Sequence, residues 1–167
     1  KSLEILNKII NDIDIILLVI DYKSKFNQID NEILKWLRKF GKLIYLIINK
    51  FDNYQIEADI DYLNYNIKNN FFFSCTHKYG FKNFINFIEE NLLKNSKISN
   101  LDNLHNKESI GIFGKPNAGK STFFNTLIGF ERSLTSPNSG TTSDSIIFNY
   151  KYKNKIINII DTAGIGR

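Results

Sequence analysis

With 167 residues, 43% of them hydrophobic and 23% charged, the chain is long enough for one α/β domain or two half-domains, and too apolar to be mostly disordered. Its net charge of +5 and isoelectric point of about 9.2 suit a polyanionic partner such as RNA, but the lysines are scattered, which reads as a solvated surface. A single cysteine, Cys75, excludes an internal disulfide framework and fits a reducing cytosol, and no stretch approaches the ~20 apolar residues of a membrane span.

The first 95 residues alternate helical and strand patterns. Leu3, Leu6, Ile10 and Ile13 recur at helical spacing, and residues 15–20 then form a continuous apolar strand ending at Asp21. A second helix carries Ile33, Trp36, Leu37 and Phe40 and stops at Gly41. The next strand, 43–48, runs into Asn49-Lys50-Phe51-Asp52. A weakly amphipathic stretch over 56–65 precedes a short strand at 71–73, which ends in Ser74-Cys75-Thr76. Phe81, Phe84, Ile85, Ile88 and Leu92 then mark one helical stripe.

Residues 94–107 have no apolar periodicity and read as a linker, giving a division into 1–95, 96–108 and 109–167. Strand 110–113 enters a glycine-rich turn and a helix from Lys120 to about Ile128, and strands 146–151 and 156–160 form a hairpin. Strands that alternate with helices and are apolar throughout predict a mainly parallel six-stranded sheet covered on both faces, with the hairpin as its antiparallel edge. Ligands of such sheets bind beyond the carboxyl ends of the strands, and the polar motifs cluster there. The chain has no methionine and stops soon after a motif expected to continue into a helix, so it reads as an internal piece of a longer protein.

Gly114-Lys115-Pro116-Asn117-Ala118-Gly119-Lys120-Ser121 matches the phosphate-binding loop, followed by Thr122 in the helix. Its glycines let successive N–H groups turn toward phosphate oxygens, and the helix adds its positive end. Lys120 is expected to bridge the β- and γ-phosphates and Ser121 to offer a hydroxyl to Mg²⁺. Asp161-Thr162-Ala163-Gly164, at the end of a buried strand, supplies a second Mg²⁺ residue in Asp161 and an N–H on Gly164 that senses the γ-phosphate. Thr142, in the Thr141-Thr142 pair between these motifs, completes the metal's shell.

The base is read by Asn49-Lys50-Phe51-Asp52. A carboxylate at Asp52 accepts the N1–H and the exocyclic amine of guanine side by side, whereas adenine would leave it buried and unpaired. Asn49 is expected to tie this segment to the phosphate loop, and the stem of Lys50 to lie across the base. Ser74, Cys75 and Thr76 close the pocket, with the Cys75 backbone N–H facing the guanine carbonyl oxygen and its side chain small and buried. His77 and His105 lack metal-ligand companions and read as surface or loop residues.

Together these motifs resemble the translation-factor-related GTPases, which are P-loop proteins with a Ras-like G domain. The wording is similar to the Der (EngA) family of tandem GTPases through residues 30–53 and 74–80, and again through 114–129, 139–146 and 161–165. The resemblance implies that residues 1–95 are the C-terminal half of a first G domain and residues 109–167 the N-terminal half of a second. It also implies a cytoplasmic enzyme that hydrolyses GTP to GDP, a switch in large ribosomal subunit assembly. Its partner would be that subunit or its RNA, rather than DNA or a membrane. Asn117 is the residue with which related GTPases hold K⁺ beside the phosphates. Ile165 stands where many small GTPases carry a water-orienting glutamine, so intrinsic hydrolysis is expected to be slow and K⁺-stimulated. Lys120, Asn117, Thr142 and Gly164 are therefore the expected catalytic residues. Ser143, Cys75 and Gly166 depart from the arginine, alanine and arginine common in the family, and none of the three removes a nucleotide ligand.

A circularly permuted single GTPase domain gives the same motif order. Such proteins usually carry Pro-Gly-x-Thr and Asp-Thr-Pro-Gly, where this chain has Ser139-Gly140-Thr141-Thr142 and Asp161-Thr162-Ala163-Gly164. The two halves are also able to close on one another as one permuted domain. A binding module that switches with GTP or GDP and turns over little uses the same residues.

Overall fold

The computed structural model describes residues 2–53, 65–67, 69–93, 108–131, 145–152 and 155–162. Helix α1 (Ser2–Asn11) buries Leu6 and Ile10 and leads through the buried Ile13 into strand β1 (Ile15–Asp21). Helix α2 (Gln28–Arg38) starts at a capping box. The Asn27 side chain accepts the Ile29 and Asp30 N–H groups, and Asp30 returns a carboxylate to the Asn27 N–H. Strands β2 (Leu43–Asn49) and β3 (Asn70–Phe72) follow, then helix α3 (Phe81–Phe87), which widens into a π-helical turn at Ile88–Leu93. Strand β4 (Glu108–Phe113) begins inside the predicted linker. Helix α4 (Lys120–Glu131) and the strands β5 (Ser145–Tyr152) and β6 (Lys155–Thr162) complete the described chain. The stretch 56–64 and the linker over 96–107 lie outside the described residues.

The six strands form one sheet in the order β3-β2-β1-β4-β6-β5. All neighbours are parallel except the β5–β6 hairpin. The centre of the sheet is the β1–β4 pair, in register from Ile15 opposite Ile110 to Leu18 opposite Phe113. Strands from both sides of the linker therefore share one ladder.

The apolar runs explain the layering, because successive side chains of a strand point to opposite faces. Ile15, Leu17 and Val19 of β1 face a cluster with Phe73, Phe81, Phe84, Phe123 and Phe124, under α3 and α4. Ile16, Leu18 and Ile20 face the other cluster, with Leu6, Ile10, Ile33, Leu34 and Leu37 from α1 and α2. Phe123 of α4 lies 4.9 Å from the ring of Phe73, 5.7 Å from Phe81 and 6.1 Å from Phe84, centroid to centroid. One aromatic side chain from the later half thus plugs into three from the earlier half.

Phe123→Ala should lower the unfolding free energy by about 3–5 kcal/mol, the usual cost of deleting a buried aromatic ring. Urea denaturation followed by both tryptophan fluorescence and far-UV circular dichroism should show a single coincident transition in the wild type and the variant. Two separated transitions would contradict a shared core.

Candidate functional site

The strand register brings the C-terminal ends of β1, β2 and β4 together: Asp21 stands opposite Asn49, and Gly114 follows Phe113 directly. The Tyr22 N–H donates to the Asn49 carbonyl at 2.8 Å, fixing the two exits side by side. The loop after β4 turns sharply. Gly114 has φ +152°, and a Cβ there would stand 2.3 Å from the Val19 carbonyl oxygen. Asn117 adopts the left-handed conformation at φ +64°, and Pro116 and Asn117 are exposed.

The segment after β2 and the loop after β4 touch. Asn49, 2% exposed, donates its side-chain N–H groups to the Ala118 and Gly119 carbonyls, each at 3.4 Å. Gly119, at φ +92°, makes this approach possible, since a Cβ there would lie 2.3 Å from Asn49 Nδ2. The Cys75 thiol donates to Asn49 Oδ1 at 3.3 Å, which orients the amide. Burial pushes that thiol above its ordinary pKa, so it stays a protonated donor. Cys75 is half-buried rather than buried, because it sits at the rim where α4 leaves the strand ends.

Lys50, also left-handed at φ +62°, spans from β2 to the phosphate loop. Its Nζ lies 2.6 Å from Asp21 Oδ2 and 3.0 Å from the Asn117 carbonyl. Asp52 accepts the Ser74 hydroxyl at 2.8 Å and pairs with Lys23 at 2.7 Å. The Lys23 and Ser74 hydrogen bonds hold the Asp52 carboxyl below the usual carboxylate range. The side chain of Phe51 is buried among Tyr22, Phe72 and Tyr79, so its part in the segment is packing. Thr76 is exposed, and the backbone N–H of His77 donates to the Ser74 hydroxyl.

Two charged groups are buried at the phosphate end. Lys120 Nζ donates to the Lys115 carbonyl at 3.0 Å, and burial lowers its pKa, with the Asp161 carboxylate opposing. Asp161 is buried beside β4, opposite Ile112, and burial raises its pKa while the Ser121 hydroxyl and Lys120 draw it back. Its Oδ1 has no partner among the described residues. The Thr162 hydroxyl donates to the Ile112 carbonyl, a structural role in the strand. Ser121 and Thr122 are exposed at the start of α4, on the open side of the loop. Thr142, Ala163, Gly164 and Ile165 lie outside the described residues.

The sequence pattern did not single out the loop that follows β1. Asp21 holds Lys50, Lys23 holds Asp52, and Lys115 Nζ reaches both Ser24 Oγ and the fully buried Asp30 Oδ2 at 3.0 Å. An acid at the carboxyl end of a buried parallel strand was the available signal for Asp21.

The fold and the loop geometry define a P-loop GTPase domain, with a mixed six-stranded sheet flanked by helices. Residues 109–167 match the family model described as 50S ribosome-binding GTPase. Over 155 residues, 92% of its length, the chain is 34% identical to the GTPase Der of Stenotrophomonas maltophilia and 31% identical to that of Aquifex aeolicus. It is 34% identical to GTPase Der of a Nitratiruptor species over 176 aligned residues, 93% of its length. The matches cover 33%, 35% and 38% of those proteins, so the chain spans about a third of the length of these relatives. These similarities are consistent with a fragment of a Der-family GTPase.

The site fits the hydrated Mg²⁺ that such domains use. That ion takes one or two carboxylates plus phosphate oxygens, and Asp161 offers a buried, unpartnered oxygen next to the Ser121 hydroxyl. Without the ion, the carboxylate is a cost to the fold. Its folded pKa is raised above the unfolded value, so the group opposes folding once pH rises through the usual carboxylate range. Asp161→Asn should therefore stabilise the ligand-free protein by about 1–2 kcal/mol at pH 7. The gain should shrink toward zero below about pH 4, where the carboxyl is protonated in both states. Urea titrations at about pH 3.5 and pH 7 measure both values.

Proposed function

We propose that residues 1–95 and 109–167 close on a single guanine nucleotide, and that the chain hydrolyses GTP to GDP and phosphate. In the whole protein, we propose, it serves as a cytoplasmic switch in assembly of the large ribosomal subunit. The observation that carries this reading is the pair of hydrogen bonds from the Asn49 amide to the Ala118 and Gly119 carbonyls. They set the base-reading carboxylate and the phosphate-binding ammonium at a fixed spacing across one site. Partnership with the large subunit or its RNA, rather than with DNA or a membrane, is supported by the description of the matched family. Among the described residues, no helix is long and apolar enough to cross a membrane.

The residues of the site divide the work in this reading. Asp52 accepts the two guanine N–H groups, Ser74 holds that carboxylate, and Lys50 lays its stem along the base. The loop from Gly114 to Gly119 turns its N–H groups to the phosphates. Lys120, partly stripped of solvent and bonded to the Lys115 carbonyl, transfers its ammonium to the β- and γ-phosphate oxygens. There it stabilises the charge that develops as water attacks the γ-phosphorus and the bridging oxygen leaves with GDP. Mg²⁺, held by Asp161, Ser121 and Thr142, neutralises phosphate charge when bound. Gly164 reports the γ-phosphate, and Asn117 holds K⁺.

The strand order supports pairing of the two halves in one sheet, an arrangement open both to the junction between two Der G domains and to a circularly permuted single domain. Neighbours β1 and β4 belong to different halves and share the middle of the sheet.

Two measurements test the proposal. Asp52→Asn should lower GDP affinity by on the order of 10²-fold or more and raise xanthosine diphosphate affinity, read by fluorescent-nucleotide titration. Unchanged guanine binding would refute the base assignment. Phosphate release should be slow and several-fold faster in potassium than in sodium at equal ionic strength; equal rates would remove Asn117 from the ion's shell.

A further inference from the structure

Both oxygens of the Asp52 carboxylate are engaged by side chains of the protein. Asp52 Oδ1 accepts the Ser74 hydroxyl at 2.8 Å, and Oδ2 lies 2.7 Å from Lys23 Nζ. The two contacts differ in kind. Ser74 is fully buried, and its hydroxyl also accepts the His77 N–H, so it is a fixed support. The Lys23 side chain is 63% exposed, and its ammonium rides on a flexible stem. Only its backbone is anchored: the Lys23 N–H donates to Asp21 Oδ1 at 2.9 Å, and the Ser24 hydroxyl donates to the Asp21 carbonyl at 3.2 Å.

Guanine presents two N–H donors to a carboxylate side by side, so it needs Asp52 Oδ2 as well as Oδ1. We infer that Lys23 is a residue of the guanine site that stands in for the base: its ammonium occupies Asp52 Oδ2 when no nucleotide is bound and must swing away for guanine to enter. This rests on the assignment of Asp52 as the base reader. An exposed lysine–carboxylate pair is weak, in the range where a ligand with two hydrogen bonds displaces it readily. The contact keeps the carboxylate ionised and supplied with a donor while the site is empty, and it yields to the base. Lys50, whose ammonium is held by Asp21 and the Asn117 carbonyl, is tied to other partners and does not duplicate this role.

The test is a cycle of four proteins: wild type, Lys23→Met, Asp52→Asn and the double variant, all in the full chain. Fluorescent GDP is titrated into the first two and fluorescent xanthosine diphosphate into the last two. Lys23→Met should bind GDP about two- to five-fold more tightly than wild type, through faster association. The difference should fade in high salt, where screening already loosens the pair. In the Asp52→Asn background, which carries no charge for the ammonium, the same substitution should leave affinity unchanged within a factor of about two. Weaker or equal GDP binding by Lys23→Met overturns the proposal, as does an equal gain in both backgrounds. Because Lys23 is exposed, its substitution leaves the fold intact, and coincident thermal melts check this. If wild type binds no guanine nucleotide, the base assignment and this inference fall together; if it binds GDP and Lys23→Met matches it, only the inference falls.

Discussion

The approach of the Asn49 amide to the backbone of the phosphate loop is the contact on which the rest of the site hangs. It joins residues 69 and 70 positions apart, one at the end of β2 and the others just before α4. Each loop has a packed anchor, Phe51 in one and Ala118 in the other, while Pro116 and Asn117 at the tip of the phosphate loop are exposed. Each is held by the other. The amide satisfies carbonyls at the turn, the turn leaves room for the amide because Gly119 lacks a Cβ, and the Cys75 thiol keeps the amide from flipping. A buried amide with all its bonds made is stiff, and that stiffness sets the span between Asp52 and Lys120.

Around this contact, charge is arranged in alternation. Lys23 and Asp52, Asp21 and Lys50, and Lys115 and Asp30 form three acid–base pairs along the mouth of the sheet. They differ in solvent exposure and therefore in what they do. The outermost is exposed and weak. The innermost is almost dry: Asp30 is fully buried, and its Oδ2 accepts both the Asn27 N–H and the Lys115 ammonium. Removing either partner there would strand a charge away from water, so this pair fastens the phosphate loop to the head of α2.

Much of this arrangement was legible in the sequence, for reasons that differ by element. The strands were readable because both faces of the sheet are covered, which makes residues 15–20, 43–48 and 110–113 runs without a polar side chain at alternate positions. The loops at the strand ends were readable because their chemistry demands particular residues at fixed spacing. The π-helical turn after Phe87 was not, since Phe84, Ile88 and Leu92 fit an ordinary helical stripe and one extra residue per turn leaves no mark on composition. Lys23, Lys115 and Asp30 were also invisible in their roles. Each acts through a partner on a distant loop, and only the sheet order shows that those loops meet. The same limit applies to Cys75, whose bond to Asn49 depends on how α4 crosses the strand ends.

The placement of β1 has a consequence for how the sheet closes. Its partner β2 starts at Leu43, but its second neighbour, β4, starts only at Glu108. Until β4 pairs with it, the β1 edge of this fold presents Ile, Leu and Val with unpaired amides, the kind of surface that recruits chaperones or neighbouring chains. Only when the later strand arrives is that edge sealed. The innermost seam of this sheet is thus the one whose two strands lie furthest apart along the chain.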